Sequence, residues 1–296
     1  VAKATTPGHA IGAGTVGILL KPWGGDYGVA MVATFGIVNL TRDSFSDGGR
    51  YFDPAAAVAH ALKLQAEGAD VIDLGAESTH PDAEDVSAEE EICRLRPVVV
   101  ALVERGLAIS IDTRKPAVMA ALAPLGARWW NDVHGGRADK TLEVAAALPE
   151  SVRFVLMFAR SKDGRAGRPE DAGPELLQEI RDFAAERVAA FARHGIARER
   201  LVLDPGMGFF LGRTAAPSVL VLRQLTMLRS CGLPLLVSVS RKSFLGELTG
   251  LPVAARGPAT LAAELWAARH GVDYIRTHDV GAFRAGWAVE AALRGT

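Results

Sequence analysis

The chain has 296 residues, 49% of them apolar, a formal charge of −1 and two cysteines. A near-neutral balance excludes a basic surface for nucleic acid and favours a small-molecule ligand. Cys93 and Cys231 stand apart from any CxxC or metal spacing, which excludes a disulfide framework and suits a reducing cytoplasm, and no apolar run reaches membrane-spanning length.

In chain order, residues 1–30 show no helical or strand period, and the run "GTVGILL" is too short for a signal segment. They are expected to be an N-terminal extension, disordered or not native, with Met31 as the functional start. Residues 31–296 then alternate short apolar runs with segments of helical composition. The predicted strands are Thr34–Asn39, Val71–Gly75, Ala108–Asp112, Trp129–Asp132, Phe154–Phe158, Leu201–Asp204, Leu235–Ser240 and Tyr274–His278. Between them lie helices such as Pro54–Glu67, Ser87–Arg105 and Lys115–Leu125. Asp53-Pro54 and a Ser87/Glu90 capping box mark two starts, and Gly68, Gly106 and Gly126 mark the stops.

Strands that are apolar throughout are expected where both faces are covered, as in a parallel sheet. Eight β-α units over about 265 residues predict an α/β fold, a single-domain (β/α)8 TIM barrel. A doubly wound open sheet is the alternative, but it needs fewer units, and no GxGxxG follows the first strand.

A (β/α)8 barrel builds its site from the carboxyl ends of its strands. Here those ends run "NLTRDSFSDGG", "DLGAESTHP", "SIDTRK", "WNDVHG", "LMFARSKDG", "LDPGMG", "VSRKS" and "IRTHDV". Each is polar where the strand middle is Val, Ile or Leu. Asp112, Asn131 and Asp204 converge at one mouth as donors and acceptors for a planar heterocycle. Lys242, Arg276 and His278 supply cations where barrels often hold phosphate. A lone Asp after a strand also serves as a helix cap, a reading open for both Asp112 and Asp132. His60, His194 and His270 read as surface residues, Trp129 and Trp130 as packing. The stretch from Arg160 to Asp171 reads as a solvated loop, with Arg160 or Arg165 able to lean towards a phosphate.

Together the motifs "GIVNLTRDSFSDGG", "VIDLGAEST", "SIDT", "NDVHG", "LDPGMGF", "SVSRKSFLG" and "RTHDV" resemble the dihydropteroate synthases, in order and spacing from Met31 to the end. That family joins 6-hydroxymethyl-dihydropterin pyrophosphate to p-aminobenzoate and releases pyrophosphate. The resemblance implies a pterin pocket of Asp112, Asn131, Asp204 and Lys242, and pyrophosphate contacts from Asn39, Arg276 and His278. It also implies Mg²⁺ at Asn39, and Asp47 facing a developing pterin cation in a loop that Gly48 and Gly49 let close. The p-aminobenzoate pocket would draw on Phe45, Thr79, His80, Pro81, Phe209, Phe210 and Ser240. A homodimer through outer helices is implied as well.

Two positions depart from the family pattern. His80 stands where an arginine is usual, exchanging a permanent cation for one that titrates near neutrality. The loop after the sixth strand runs Gly208-Phe209-Phe210-Leu211 instead of Gly-Phe-Gly-Lys. Both resemble the acquired synthases that resist sulfonamides; the added ring at Phe210 either packs locally under the loop or narrows the p-aminobenzoate side and would clash with a bulkier drug. A methyltetrahydrofolate:corrinoid methyltransferase and a non-catalytic pterin-binding paralogue are the competing readings. "SRKS", "RTHDV" and the "DSFSDGG" loop count against the first, while His80 alone leans towards the second.

Overall fold

A computed structural model describes residues 32–41, 53–78, 85–161 and 166–294. Residues 1–30 lie outside that set, so the expected extension is not part of the description. Eight strands follow in order: β1 (Ala33–Asn39), β2 (Val71–Gly75), β3 (Ile109–Asp112), β4 (Trp129–Asp132), β5 (Arg153–Met157), β6 (Leu201–Asp204), β7 (Leu236–Val237) and β8 (Tyr274–Thr277). All pair in parallel in the order β6-β5-β4-β3-β2-β1-β8-β7. A parallel bridge from Leu203 to Leu235, with the Leu203 N–H donating to the Pro234 carbonyl at 2.9 Å, joins β6 to the β7 side and closes the barrel.

The helices are α1 (Pro54–Ala66), α2 (Ala88–Val103), α3 (Pro116–Leu122), α4 (Thr141–Ala147), α5 (Leu176–Arg193), α6 (Ala216–Arg223), α7 (Leu225–Leu228), α8 (Ser243–Thr249), α9 (Gly257–Arg269) and α10 (Val280–Arg294). The local signals act as expected. Asp53 accepts the Ala55 N–H at 2.8 Å ahead of Pro54, and Ser87 accepts the Glu90 N–H at 3.1 Å, so each caps its helix. Gly126 takes a left-handed φ of 114° and stops the turn after α3. Among the described residues no helix is long and apolar enough to cross a membrane.

Strand parity sorts the barrel into layers. Residues facing outward, such as Ile72, Leu74, Ile109, Ile111, Leu203 and Ile275, join the main core under the helices. The lower interior is filled by Phe35, Val71, Trp129, Val155, Val202 and Leu236, with Ala108 and Tyr274 packed against them. Phe35, Trp129 and Tyr274 meet edge to face, with centroids 5.1 to 5.7 Å apart. Trp129 and Trp130 are therefore packing residues, as expected. Two residues further along six of the eight strands the interior turns polar, with Asp73, Ser110, Asn131, Asp204, Ser238 and Arg276, whereas β1 and β5 place Ile37 and Met157 there.

Observed strand bounds differ little from expectation, except at β7. There the sheet ladder ends at Val237, because the chain turns at once into the loop that carries Ser240 and Lys242, with the Lys242 N–H donating to the Val239 carbonyl at 3.1 Å.

Candidate active site

The polar layer is organised around Arg276. Its Nε donates to Asp73 Oδ2 at 2.5 Å and its second guanidinium nitrogen to Asp112 Oδ2, also at 2.5 Å. Asn131 donates to Asp73 Oδ2 at 3.4 Å. One guanidinium thus binds two carboxylates, an arrangement suited to its planar fork. Burial would lower the Arg276 pKa, but Asp73 and Asp112 more than offset it and hold it above the ordinary value. Asp73 was not foreseen. It is the one charged residue inside "VIDLG", and its parity with Asn131 and Asp204 was the signal that could have found it.

The remaining ionisable groups sit near their switching points. Burial pushes the Asp112 carboxyl up to about 7, with Arg276 opposing the rise and Asp73 adding to it. Asp204, at the end of β6, is likewise raised by burial, to about 6, against the Gly206 N–H that donates to it at 2.8 Å and the cations Lys242 and Arg276. Gly206 must be glycine, since it has a φ of 73° and a Cβ would lie 2.2 Å from the Phe158 carbonyl oxygen. Burial lowers Lys242 to about 8, and its ammonium lies 4.7 Å from the centre of the Phe210 ring.

His278 and Ser240 form a second centre beside the first. Ser240 Oγ lies 2.9 Å from His278 Nδ1 and accepts the His278 backbone N–H at 3.2 Å. Burial lowers the His278 pKa to about 3, reinforced by Arg241, Arg276, His60 and Lys242, so the imidazole is neutral and not the cation that strand-end charge had implied. His60 is accordingly no bystander: half-buried on α1, it adds to this field, whereas His194 is exposed and His270 stacks on Trp266 at 4.2 Å. Ser240, expected against p-aminobenzoate, directs its hydroxyl to His278.

For Asp132 the capping reading holds. Asp132 faces out of the barrel and accepts the N–H groups of His134 and Gly136 at 2.8 and 2.7 Å, so it is a loop cap and not a site residue. Asn39 is exposed at the end of β1. Phe45, Asp47, Gly48, Gly49, Thr79, His80 and Pro81 lie outside the described residues. Glu77, which opens the segment holding three of them, accepts Lys115 Nζ at 2.7 Å and Arg114 Nε at 3.2 Å.

The loop after β6 is held by the loop after β5. Arg160 and Arg168 donate backbone N–H groups to the Phe210 and Phe209 carbonyls, both at 3.1 Å. Phe210, 3% exposed, packs with Val133, Met157, Ala159 and Ala166, while half-buried Phe209 lies under the Arg168 guanidinium at 4.7 Å. Asp171 accepts the Arg213 and Thr214 N–H groups at 2.7 and 3.1 Å. The described part of the 160–171 segment is thus a brace. Arg160 pairs with Glu179 at 3.0 Å and has no phosphate role to infer, and Arg165 is outside the described residues.

Comparison with known proteins agrees with this geometry. The model for "Pterin binding enzyme" matches residues 35–278. Dihydropteroate synthase type-2 of Escherichia coli is 49% identical over 267 residues, covering 88% of this chain and 96% of that protein. Among solved structures, Xanthomonas albilineans dihydropteroate synthase with 4-aminobenzoic acid superposes with a TM-score of 0.82 at 39% identity, covering 91% of this chain and 95% of that one. The same enzyme in complex with 7,8-dihydropteroate gives 0.79 at 37% identity, covering 92% and 96%. With the motifs, the barrel and the polar mouth in agreement, the chain belongs to the dihydropteroate synthases of the pterin-binding enzyme family.

Proposed function

We propose that this protein condenses 6-hydroxymethyl-7,8-dihydropterin pyrophosphate with p-aminobenzoate to give 7,8-dihydropteroate and pyrophosphate. The observation that carries this reading is the buried array of Asp112, Asn131 and Asp204 around Arg276, with Lys242 and His278 at its rim. A pterin's amino-pyrimidinone edge offers two donors to one carboxylate, and Asp204 is the acid best placed to accept them. Those donors also favour its ionised form, which burial otherwise disfavours.

The substrate's methylene–oxygen bond breaks with its electron pair leaving on pyrophosphate, and the amine nitrogen of p-aminobenzoate forms the new carbon–nitrogen bond and then loses a proton to solvent or the departing anion. Positive charge grows on the pterin and negative charge on the leaving group. Arg276 and neutral His278 present donors to the anion, and the carboxylates of Asp112 and Asp204 face the cationic ring. An aromatic amine is already unprotonated near pH 7, so positioning suffices and no strong base is required.

We also propose Mg²⁺ as the metal. Among the described residues no three His, Cys, Asp or Glu side chains converge into a metal cage. The donor set nevertheless fits a cation held by the Asn39 amide, substrate phosphates and water, the coordination Mg²⁺ accepts. When bound, it would neutralise charge on the leaving pyrophosphate.

Reduced sulfonamide sensitivity is the finer part of the proposal. It is supported by the departure at "GFFL", by the brace that holds Phe209 and Phe210, and by the Lys242 ammonium 4.7 Å from the Phe210 ring. The carried-over placement of Phe45, Thr79, His80, Pro81, Phe209 and Phe210 at the p-aminobenzoate side, Asp47 at the cation and a homodimer through outer helices complete it.

The test is dihydropteroate formation from the pterin pyrophosphate and p-aminobenzoate, with and without Mg²⁺, titrated with sulfamethoxazole. Turnover that persists when drug exceeds p-aminobenzoate, and becomes drug-sensitive in Phe210→Gly, is expected. Pterin binding without turnover would overturn the synthase reading. Unchanged drug inhibition in the variant would remove Phe210 from it.

A further inference from the structure

In the motif "SIDT" Thr113 directly follows Asp112 and lies outside the array around Arg276, with 4% of its surface exposed. Every polar group it owns is engaged. Its N–H donates to the Asn131 carbonyl at 3.1 Å, and its carbonyl accepts the Trp130 indole N–H at 2.7 Å. Its hydroxyl donates to Glu91 Oε2 at 2.9 Å and accepts the Lys115 N–H at 3.1 Å. The hydroxyl proton is committed to Glu91, and the Lys115 N–H fixes the oxygen from the other side.

Glu91 is a firm anchor for that hydroxyl. It projects from α2 with none of its surface exposed, and its second oxygen takes Lys115 Nζ, which also reaches Glu77 at 2.7 Å. Burial pushes the Glu91 carboxyl up, and Lys115 and Thr113 oppose the rise, as donors to a carboxylate do. Glu77 in turn accepts the Val86 N–H at 3.3 Å and Arg114 Nη2 at 3.2 Å, and Arg114 Nη2 reaches Asp85 at 2.8 Å. The hydroxyl is thus tied to the helix layer through a network of paired charges.

The site sits on the neighbouring rung. Asp112 and Asn131 are register partners at the end of the β3–β4 ladder, and Gly75 pairs with Asp112 where the β2–β3 ladder also ends. Past that point the strands no longer hold the chain, and the Thr113 N–H to the Asn131 carbonyl is the bond that keeps the two site residues level. Arg276 grips Asp112 Oδ2 at 2.5 Å, yet it holds only the side chain. Without the tie to Glu91 the turn into α3 can roll and carry the Asp112 carboxylate away from the Asn131 amide. Two groups that read one edge of a planar ring tolerate little misalignment.

We propose that Thr113 is a positioning residue, which through its hydroxyl bond to Glu91 holds the Asp112 carboxylate in line with the Asn131 amide for one edge of the bound heterocycle. That the heterocycle is a pterin rests on the function proposed above; the tie to Glu91 does not.

The experiment is calorimetric binding of 6-hydroxymethyl-7,8-dihydropterin pyrophosphate without p-aminobenzoate, alongside steady-state kinetics and urea unfolding of the full-length protein. Thr113→Val should bind the pterin about tenfold more weakly with the KM for p-aminobenzoate unchanged, while Thr113→Ser, which keeps the hydroxyl, should match the native protein. Thr113→Ala removes the same hydroxyl and carries the test if the valine variant does not fold. Val118→Ala, which thins the buried face of α3 and leaves the hydroxyl alone, should lose stability but not affinity. Native affinity in Thr113→Val or Thr113→Ala would overturn the proposal, as would Thr113→Ser behaving like Thr113→Val, or an equal loss in Val118→Ala. A tenfold loss in Thr113→Val, in a protein whose native form binds the pterin but makes no dihydropteroate, would uphold the positioning role and reject the synthase reading. No binding by the native protein would overturn both.

Discussion

One pleat separates Phe35, Trp129 and Tyr274 in the lower barrel from Asp73, Asn131, Asp204 and Arg276 above them. The lower layer is three rings edge to face, finished by Arg153, whose guanidinium lies over Trp129 at 5.3 Å and donates to the Tyr274 hydroxyl at 3.5 Å. The upper layer buries Asp112 and Asp204, which burial pushes towards neutrality, and Lys242, brought down to about 8. The same strands thus make stability at one end and sacrifice it at the other. Strand parity carries both, because every second residue faces the axis whatever its polarity.

The largest effect expected is from Arg276→Met. Without the guanidinium, Asp73 and Asp112 face each other unpaired, and unfolding in urea should show a loss of about 3–5 kcal/mol, with turnover lost. A loss below about 1 kcal/mol would mean that the carboxylates manage without it.

Trp129→Ala should cost a similar ~3–5 kcal/mol by leaving a cavity. It should spare kcat of the folded fraction, since no polar residue of the mouth depends on the ring. A fall in kcat at full folding would break the separation of the layers.

Asp204→Asn sharpens the contrast in sign. The native carboxyl titrates at about 6 against an ordinary 3.8, so the folded protein keeps a proton that the unfolded chain releases. Its contribution is complete below about pH 4 and is lost as pH rises through 6. The variant should therefore gain about 1–2 kcal/mol over the native protein at pH 8, lose that advantage near pH 4, and bind pterin less well. Equal stability at both pH values would show that this acid carries no strain.

The smallest effect is expected at Asp132→Asn, where one of two loop N–H groups loses its acceptor: about 1 kcal/mol, with kcat within twofold. A large kcat loss would bring Asp132 into the site.

Much of this was legible in the sequence, because strand ends and polar residues coincide. Val71–Gly75, Trp129–Asp132 and Leu201–Asp204 were bounded by periodicity and turn residues alone, and Asp112, Asn131, Asp204 and Arg276 meet as the barrel requires. What escaped depended on direction. Asp73 hides inside an apolar strand, and only knowing which face of β2 turns inward reveals it. Asp132, one residue beyond Asn131, turns outward and becomes a cap. Charge state was no more readable: His278 loses its proton first to burial, reinforced by Arg276 of β8 and by Arg241 and Lys242 of the loop after β7.

The closure between β6 and β7 has a consequence for motion. The β1–β2 ladder runs unbroken from Phe35–Val71 to Asn39–Gly75, whereas β6 meets the β7 side through the bridge from Leu203 to Leu235. Amide protons beside that seam should exchange with solvent soonest of those in the wall, since few bonds must part to free them. Asp204 hangs on one lip and Lys242 on the other, so a molecule grasped by both acts as a suture, and slowed exchange at Leu203 would time its arrival and departure.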